Sequence, residues 1–201
     1  MTEPDVGGSR ESLHHGWEYF RSVYDDDPDP WGFDRRWYEQ RKFELTVSVL
    51  PRRRYRLALE PGCSNGALTE RLAERCDHLV AYDFLPDVVD RARTRLEFRS
   101  GVSVVTGEFP EHWPDGPGDL VVLSEVAYYL TPSGAGVAAD HLERWLEPGG
   151  NLVATHYTGT TDYPMTGRAV GRWLDSLPFL DRVVVHVDDG FEVGVWERRD
   201  A

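Results

Sequence analysis

In LALEPGCSNGALTERLAERC, residues 57 to 76, the acid Glu60 precedes three small residues at alternate positions, Gly62, Ser64 and Gly66. Glycine at 62 and 66 lets the backbone turn sharply and approach a ligand that a β-carbon would meet. Amides opening the following helix can then donate to polar ligand atoms. The order E-x-G-x-S-x-G differs from the G-x-G-x-x-G of dinucleotide folds, and an anionic Glu60 suits a ligand carrying an ammonium and a sulfonium better than one carrying a pyrophosphate. Asp83 closes the next apolar run, HLVAYD, with Phe84 beside it. A carboxylate there can accept from both hydroxyls of a ribose. In GEF, residues 107 to 109, Glu108 can accept from an adenine amino group while Phe109 lies against the ring. Taken singly, the turn is also an ordinary strand-to-helix turn, Asp83 a strand-end aspartate and Glu108 a loop glutamate. Together they describe S-adenosylmethionine.

A second group follows the fourth and fifth strand-like runs: Ser124, Glu125, Tyr128, Tyr129 and His156. Transfer of a methyl group to an amine that arrives protonated requires a group to take the proton. His156 is the preferred base, since an imidazole titrates at about 6.5. Glu125 anchors an amine acceptor or holds the cofactor's amino group, a binding role preferred to the chemical one in which it is the alternative proton acceptor, and Ser124 is assigned to the cofactor. Tyr128 and Tyr129 are acceptor contacts, or packing residues at a helix start. Cys63 and Cys76 stand without CxxC spacing or histidine partners, so two reduced thiols and no metal site are expected.

The elements that must position these residues alternate. Strand-like runs occupy 56–60, 78–83, 102–106, 119–125 and 151–157, with helical patterns at 66–76 and 86–98 and another ending near Trp145. Strand, helix, strand at this rhythm implies a parallel sheet with helices on both faces. The chain then changes: a helix at 166–177 precedes the runs 181–187 and 191–199, close enough to form an antiparallel hairpin. The expected fold is therefore α/β and Rossmann-like, a mostly parallel seven-stranded sheet ending in a C-terminal antiparallel hairpin.

In front of the sheet, residues 1–10 read as a disordered tail, and His14 and His15 read as part of it. Leu13, Trp17, Phe20 and Tyr24 recur at helical spacing, the stretch DDDPDPWG reads as a loop, and Asp34 is the expected cap of a helix from Arg35 to about Leu50. Residues 11–50 thus form an N-terminal helical unit and 51–201 the main domain. With 35 acidic against 22 basic side chains, the net charge of −13 repels phosphate backbones and anionic lipid. Neither nucleic acid nor membrane is expected as a partner. A cytoplasmic location is expected, since no apolar run has membrane-span length and the N-terminus is acidic.

These residues resemble the class I S-adenosylmethionine-dependent methyltransferases and, within them, the NodS-type nodulation methyltransferases. The likeness covers roughly residues 17 to 157, through DPWGFDRRWYEQRKFEL, LEPGCSNGALTERLA, YDFLPDVVDRAR and GDLVVLSEVAYYL followed by LEPGGNLV. Ser64 departs from a common glycine or alanine, and Pro61 from the usual residue there. The resemblance implies that residues 11–50 form a lid, with Trp31 over the cofactor and Arg41 paired with its methionine carboxylate, where a plain hydrophobic latch is the alternative. The methyl acceptor of the NodS type is an amine on a chitooligosaccharide, a substrate not carried over, because the C-terminal third matches less clearly. The expected function is N-methylation of an amine on a small molecule or amino sugar. Alternatives are O-methylation of a small metabolite, a NAD-dependent oxidoreductase, and a non-catalytic cofactor-binding module. An oxidoreductase would show G-x-G-x-x-G without the preceding acid and a Tyr-x-x-x-Lys or similar hydride site; the glycine turn here has a different spacing, and Lys42 is the only lysine, four positions after Tyr38 in the segment before the sheet.

Overall fold

Apolar runs too hydrophobic for a one-sided sheet lie at the centre of the computed structural model, which describes residues 12, 13 and 16–200. The expected tail at 1–10, His14 and His15 lie outside the described residues. Strands β1 (Tyr55–Pro61), β2 (Cys76–Asp83), β3 (Val102–Thr106), β4 (Gly118–Ser124), β5 (Leu146–Tyr157), β6 (Leu180–Val187) and β7 (Phe191–Arg198) form one sheet in the order β3-β2-β1-β4-β5-β7-β6. The first five pair in parallel, and β7 runs antiparallel to both β5 and β6. Along β4, Leu120 and Val122 enter one core cluster while Val121 and Leu123 enter the other. Each such burial contributes about 1.5–3 kcal/mol, so both faces oppose a register slip.

The helices are α1 (Trp17–Asp26), α2 (Trp37–Ser48), α3 (Ala67–Ala73), α4 (Pro86–Leu96), α5 (Pro132–Trp145) and α6 (Gly167–Asp175), with a 3-10 turn at Ala127–Tyr129. Phe43 of α2 and Leu68 and Leu72 of α3 pack on one face of the sheet; Leu142 and Trp145 of α5 and Val170 and Leu174 of α6 pack on the other.

Several boundaries differ from the sequence reading, among them Cys76, which opens β2 instead of closing the helix before it, since α3 ends at Ala73. Leu13 lies outside α1 and forms an isolated bridge with Leu130. Helix α2 starts at Trp37 with no side-chain cap, because Asp34 is engaged elsewhere: its carboxylate accepts from Arg95 (Nη1 to Oδ1, 2.9 Å). The loop before it is organised by Asp29, whose Oδ1 accepts the Phe33 amide at 2.7 Å. Strand β5 begins at Leu146, since Leu146 pairs with Gly118 across a register shift before the regular ladder from Asn151.

Candidate active site

The carboxyl ends of β1, β2 and β4 open onto a cavity of about 410 Å³. The glycine turn forms its floor. Gly62 and Gly66 have φ of +67° and +80°, and Ser64 between them reaches +50°. A β-carbon on Gly62 would lie 3.2 Å from Val126, so both conformation and space select glycine there. The Ser64 amide donates to Asp83 Oδ2 at 3.1 Å and the Leu85 amide to Oδ1 at 3.2 Å, which orients the carboxylate toward the turn. Burial nevertheless pushes Asp83 up to about 6, against those amide bonds. Glu60 is 2% exposed, and its Oε2 has no hydrogen-bond partner among the described residues. Burial pushes this carboxyl up to about 8.

Of the residues assigned to the cofactor, Trp31, Glu60, Gly62, Ser64, Asp83, Phe84, Phe109 and Ser124 line the cavity. Gly66 shapes the turn from behind, packed near Ala92 and Leu96. Glu108 is not on the wall, although Gly107 and Phe109 on either side are. Arg41 is also displaced: its guanidinium pairs with Asp188 at 2.5 Å and sits 5.8 Å from the Phe191 ring centre, away from the cavity. The buried stripe of α2 is Glu39, Lys42, Phe43 and Thr46, a spacing of i, i+3, i+4, i+7. Arg41 lies off that stripe, whereas Arg36 reaches the wall from just before the helix.

The residues expected at the methyl acceptor differ more. Tyr128 and Tyr129 line the cavity and meet Tyr163, with ring centres 4.5–4.9 Å apart. His156 does not line it. It is 2% exposed, lies against Tyr128, and its Nε2 accepts the Ala127 amide at 3.1 Å. Burial pushes the imidazole down to about 4. The base expected there is an enclosed neutral ring whose lone pair is already used, so the assignment of His156 to acceptor binding and proton transfer is corrected.

Glu125 does face the cavity, in a left-handed backbone conformation (φ +54°). Its Oε1 lies 2.7 Å from Lys42 Nζ, and its Oε2 accepts from Tyr128 Oη at 2.5 Å and from the Tyr157 amide at 3.2 Å. Lys42, 3% exposed, also lies 2.8 Å from Glu39 Oε2. Burial opposes the Glu125 charge, yet Lys42 holds its carboxyl below the ordinary range. For Lys42 burial is again the opposing effect, outweighed by Glu125 and Glu39. The sequence reading missed Glu39 and Lys42 as site residues. The available signal was the single lysine among 22 basic side chains, three positions after a glutamate on one helix.

The model of the nodulation protein S (NodS) family matches residues 21–153. Nodulation protein S of Rhizobium tropici is 35% identical over 127 residues, covering 62% of this chain and 53% of that protein. The chain spans about half the length of the curated relatives it matches. A Pseudomonas syringae protein provisionally described as a methyltransferase is 39% identical, with a TM-score of 0.72 over 81% of this chain and 100% of the other. The N-methyltransferase NodS of Bradyrhizobium japonicum WM9, solved with S-adenosylhomocysteine, shares the fold at a TM-score of 0.80 and 24% identity, covering 92% and 98% of the two chains. With more than half of its length matched by that model, the chain belongs to the nodulation protein S family.

Proposed function

We propose that the protein is an S-adenosylmethionine-dependent methyltransferase acting on the amine of a small molecule. The observation that carries this reading is one cavity that joins the Glu60 carboxyl, whose Oε2 has no hydrogen-bond partner among the described residues, the strand-end Asp83 and the Glu39–Lys42–Glu125 cluster. The first two fit the cofactor: Glu60 offers an enclosed acceptor for an ammonium, and Asp83 retains lone pairs for ribose hydroxyls. Phe84, Phe109 and Trp31 supply apolar wall, and Arg36 takes the place expected of Arg41 toward a carboxylate. When bound, S-adenosylmethionine supplies a methyl group made electrophilic by its sulfonium.

The chain's own residues enclose, orient and bind. The segment from α1 to α2 acts as the lid, with Tyr24 Oη and Ser64 Oγ 2.5 Å apart tying α1 to the turn. Holding two reactants in one enclosure supplies about 7–11 kcal/mol of barrier lowering. The acceptor end favours an amine because two carboxylates, Glu39 and Glu125, share one lysine there. Held ionised, Glu125 accepts a hydrogen bond from the acceptor's N–H and is a weak base; the proton leaves to solvent. A net charge of −13 and two buried free thiols favour a small-molecule partner over nucleic acid and a reducing cytoplasm over an oxidising compartment.

Transfer of radiolabelled methyl from S-adenosylmethionine to amino sugars and small primary amines, with small carboxylic acids in parallel, tests the assignment. Label is expected in amines, and Glu125→Gln should lower kcat/KM by about 10- to 150-fold, the worth of a hydrogen bond to a charged group. Label confined to carboxylic acids would replace N- by O-methylation.

A further inference from the structure

We infer that Lys42 is a positioning residue: a cation carried on α2 into the cavity wall to fix the ionisation and direction of Glu125. Among the described residues the other ion pairs are made by arginine, the His186–Asp188 contact aside, and the single lysine of the sequence stands here. An ammonium is a compact point charge that two carboxylates can approach from different sides, which the planar fork of arginine does less readily. At 3% exposure it is held by Glu39 at 2.8 Å and Glu125 at 2.7 Å.

Glu125 needs such support. Its backbone is in the left-handed region at φ +54°, a conformation costly for a residue with a β-carbon. The Glu125 amide donates to Thr155 at 2.9 Å, and both carboxylate oxygens are held. The titratable groups facing Glu125 are Lys42, Glu39 and Tyr38 from α2, Tyr128 and Tyr129 from the 3-10 turn, and His156 from β5. Of these, Lys42 is the cation: His156 is neutral over most of the working pH range, and the tyrosines are neutral donors. Glu39 competes for the same ammonium. Seating α2 therefore brings in the charge that keeps Glu125 ionised, so the same helix covers the cavity and readies its carboxylate. The consequence for turnover rests on Glu125 binding the methyl acceptor; the electrostatic claim does not.

Carbon-13 NMR titration of the full chain labelled at glutamate Cδ reads Glu125 directly, with its signal assigned by Glu125→Gln. In the wild type Glu125 should titrate below an ordinary glutamate. Lys42→Met should raise its midpoint by about one to three pH units, the span for an opposite charge at this distance, and Lys42→Arg should restore most of that shift. Glu39→Gln, which leaves the ammonium to Glu125 alone, should move the midpoint down, and it keeps the test decisive if Lys42→Met does not fold. Affinity for S-adenosylhomocysteine, measured by calorimetry on the same variants, should change less than about threefold, because Lys42 lies at the acceptor end. The inference is overturned by a Glu125 midpoint that does not rise in folded Lys42→Met, or by a Lys42→Arg chain that titrates like Lys42→Met. No downward shift in Glu39→Gln also overturns it. Failure of every variant and the wild type to bind S-adenosylhomocysteine, with the NMR shifts as stated, would instead remove the methyltransferase reading and leave the electrostatic one intact.

Discussion

Glu60 and His156 are buried groups whose proton affinities move in opposite senses on stability. Burial raises Glu60 from 4.5 to about 8. Between those values the native state holds the proton more often than the unfolded chain, so this contribution is fully present at low pH and is lost as pH rises through the folded value. Burial lowers His156 from 6.5 to about 4. Between those values the unfolded chain holds the proton more often, and stability falls as the pH drops. Between 4.5 and 6.5 the two slopes oppose each other, and from 6.5 to about 8 only that of Glu60 remains, so thermal melts should show stability falling over this alkaline window, and Glu60→Gln should flatten the fall. An unchanged alkaline slope in that variant would mean Glu60 is ionised in the apoprotein. His156→Ala should cost about 1–3 kcal/mol in urea unfolding, because the Ala127 amide loses its buried acceptor. Its turnover should show no loss of a titrating group: the pH profile keeps the wild-type shape. A profile that loses one limb would restore His156 as the base.

At the scale of elements, the front helices carry the least legible part of the site. Helix α2 reads as polar from its sequence, and the two charged residues on its buried stripe, Glu39 and Lys42, are the types that patterning assigns to solvent. Only the third partner, Glu125, some eighty residues away in sequence, makes their burial affordable. The resemblance implies Arg41 at the cofactor, and a single position around the helix turns it to Asp188 instead. The loop before α2 was legible as a loop, while its internal order through Asp29 depends on side-chain bonds that composition does not specify. If the α1–α2 segment closes the site, hydrogen exchange across residues 25–42 should slow when S-adenosylhomocysteine binds. Equal exchange at saturation would make the segment a fixed latch.

For the whole molecule, the sheet and the cofactor end were legible because each rests on local pattern. Apolar runs at β1, β2, β4 and β5 alternate with amphipathic helices, and Glu60, Gly62, Ser64 and Asp83 sit at strand ends that any parallel sheet brings to one edge. The acceptor end joins residues from α2, the turn after β4 and the segment after β5, and no spacing in the sequence announces that meeting. His156 shows the same limit: its place at a strand end was readable, but the Ala127 amide that occupies its nitrogen was not. The central claim is that this edge binds S-adenosylmethionine through Glu60 and Asp83. Titration calorimetry of the full chain with S-adenosylhomocysteine at pH 7, in two buffers of different ionisation enthalpy, tests it most directly. The account predicts saturable one-to-one binding with net proton release, as the ligand's ammonium converts the protonated Glu60 to its carboxylate. It also predicts that Asp83→Ala binds more weakly by about 1.5–3 kcal/mol. No binding by the folded wild type, or binding of NADH in its place, would contradict it.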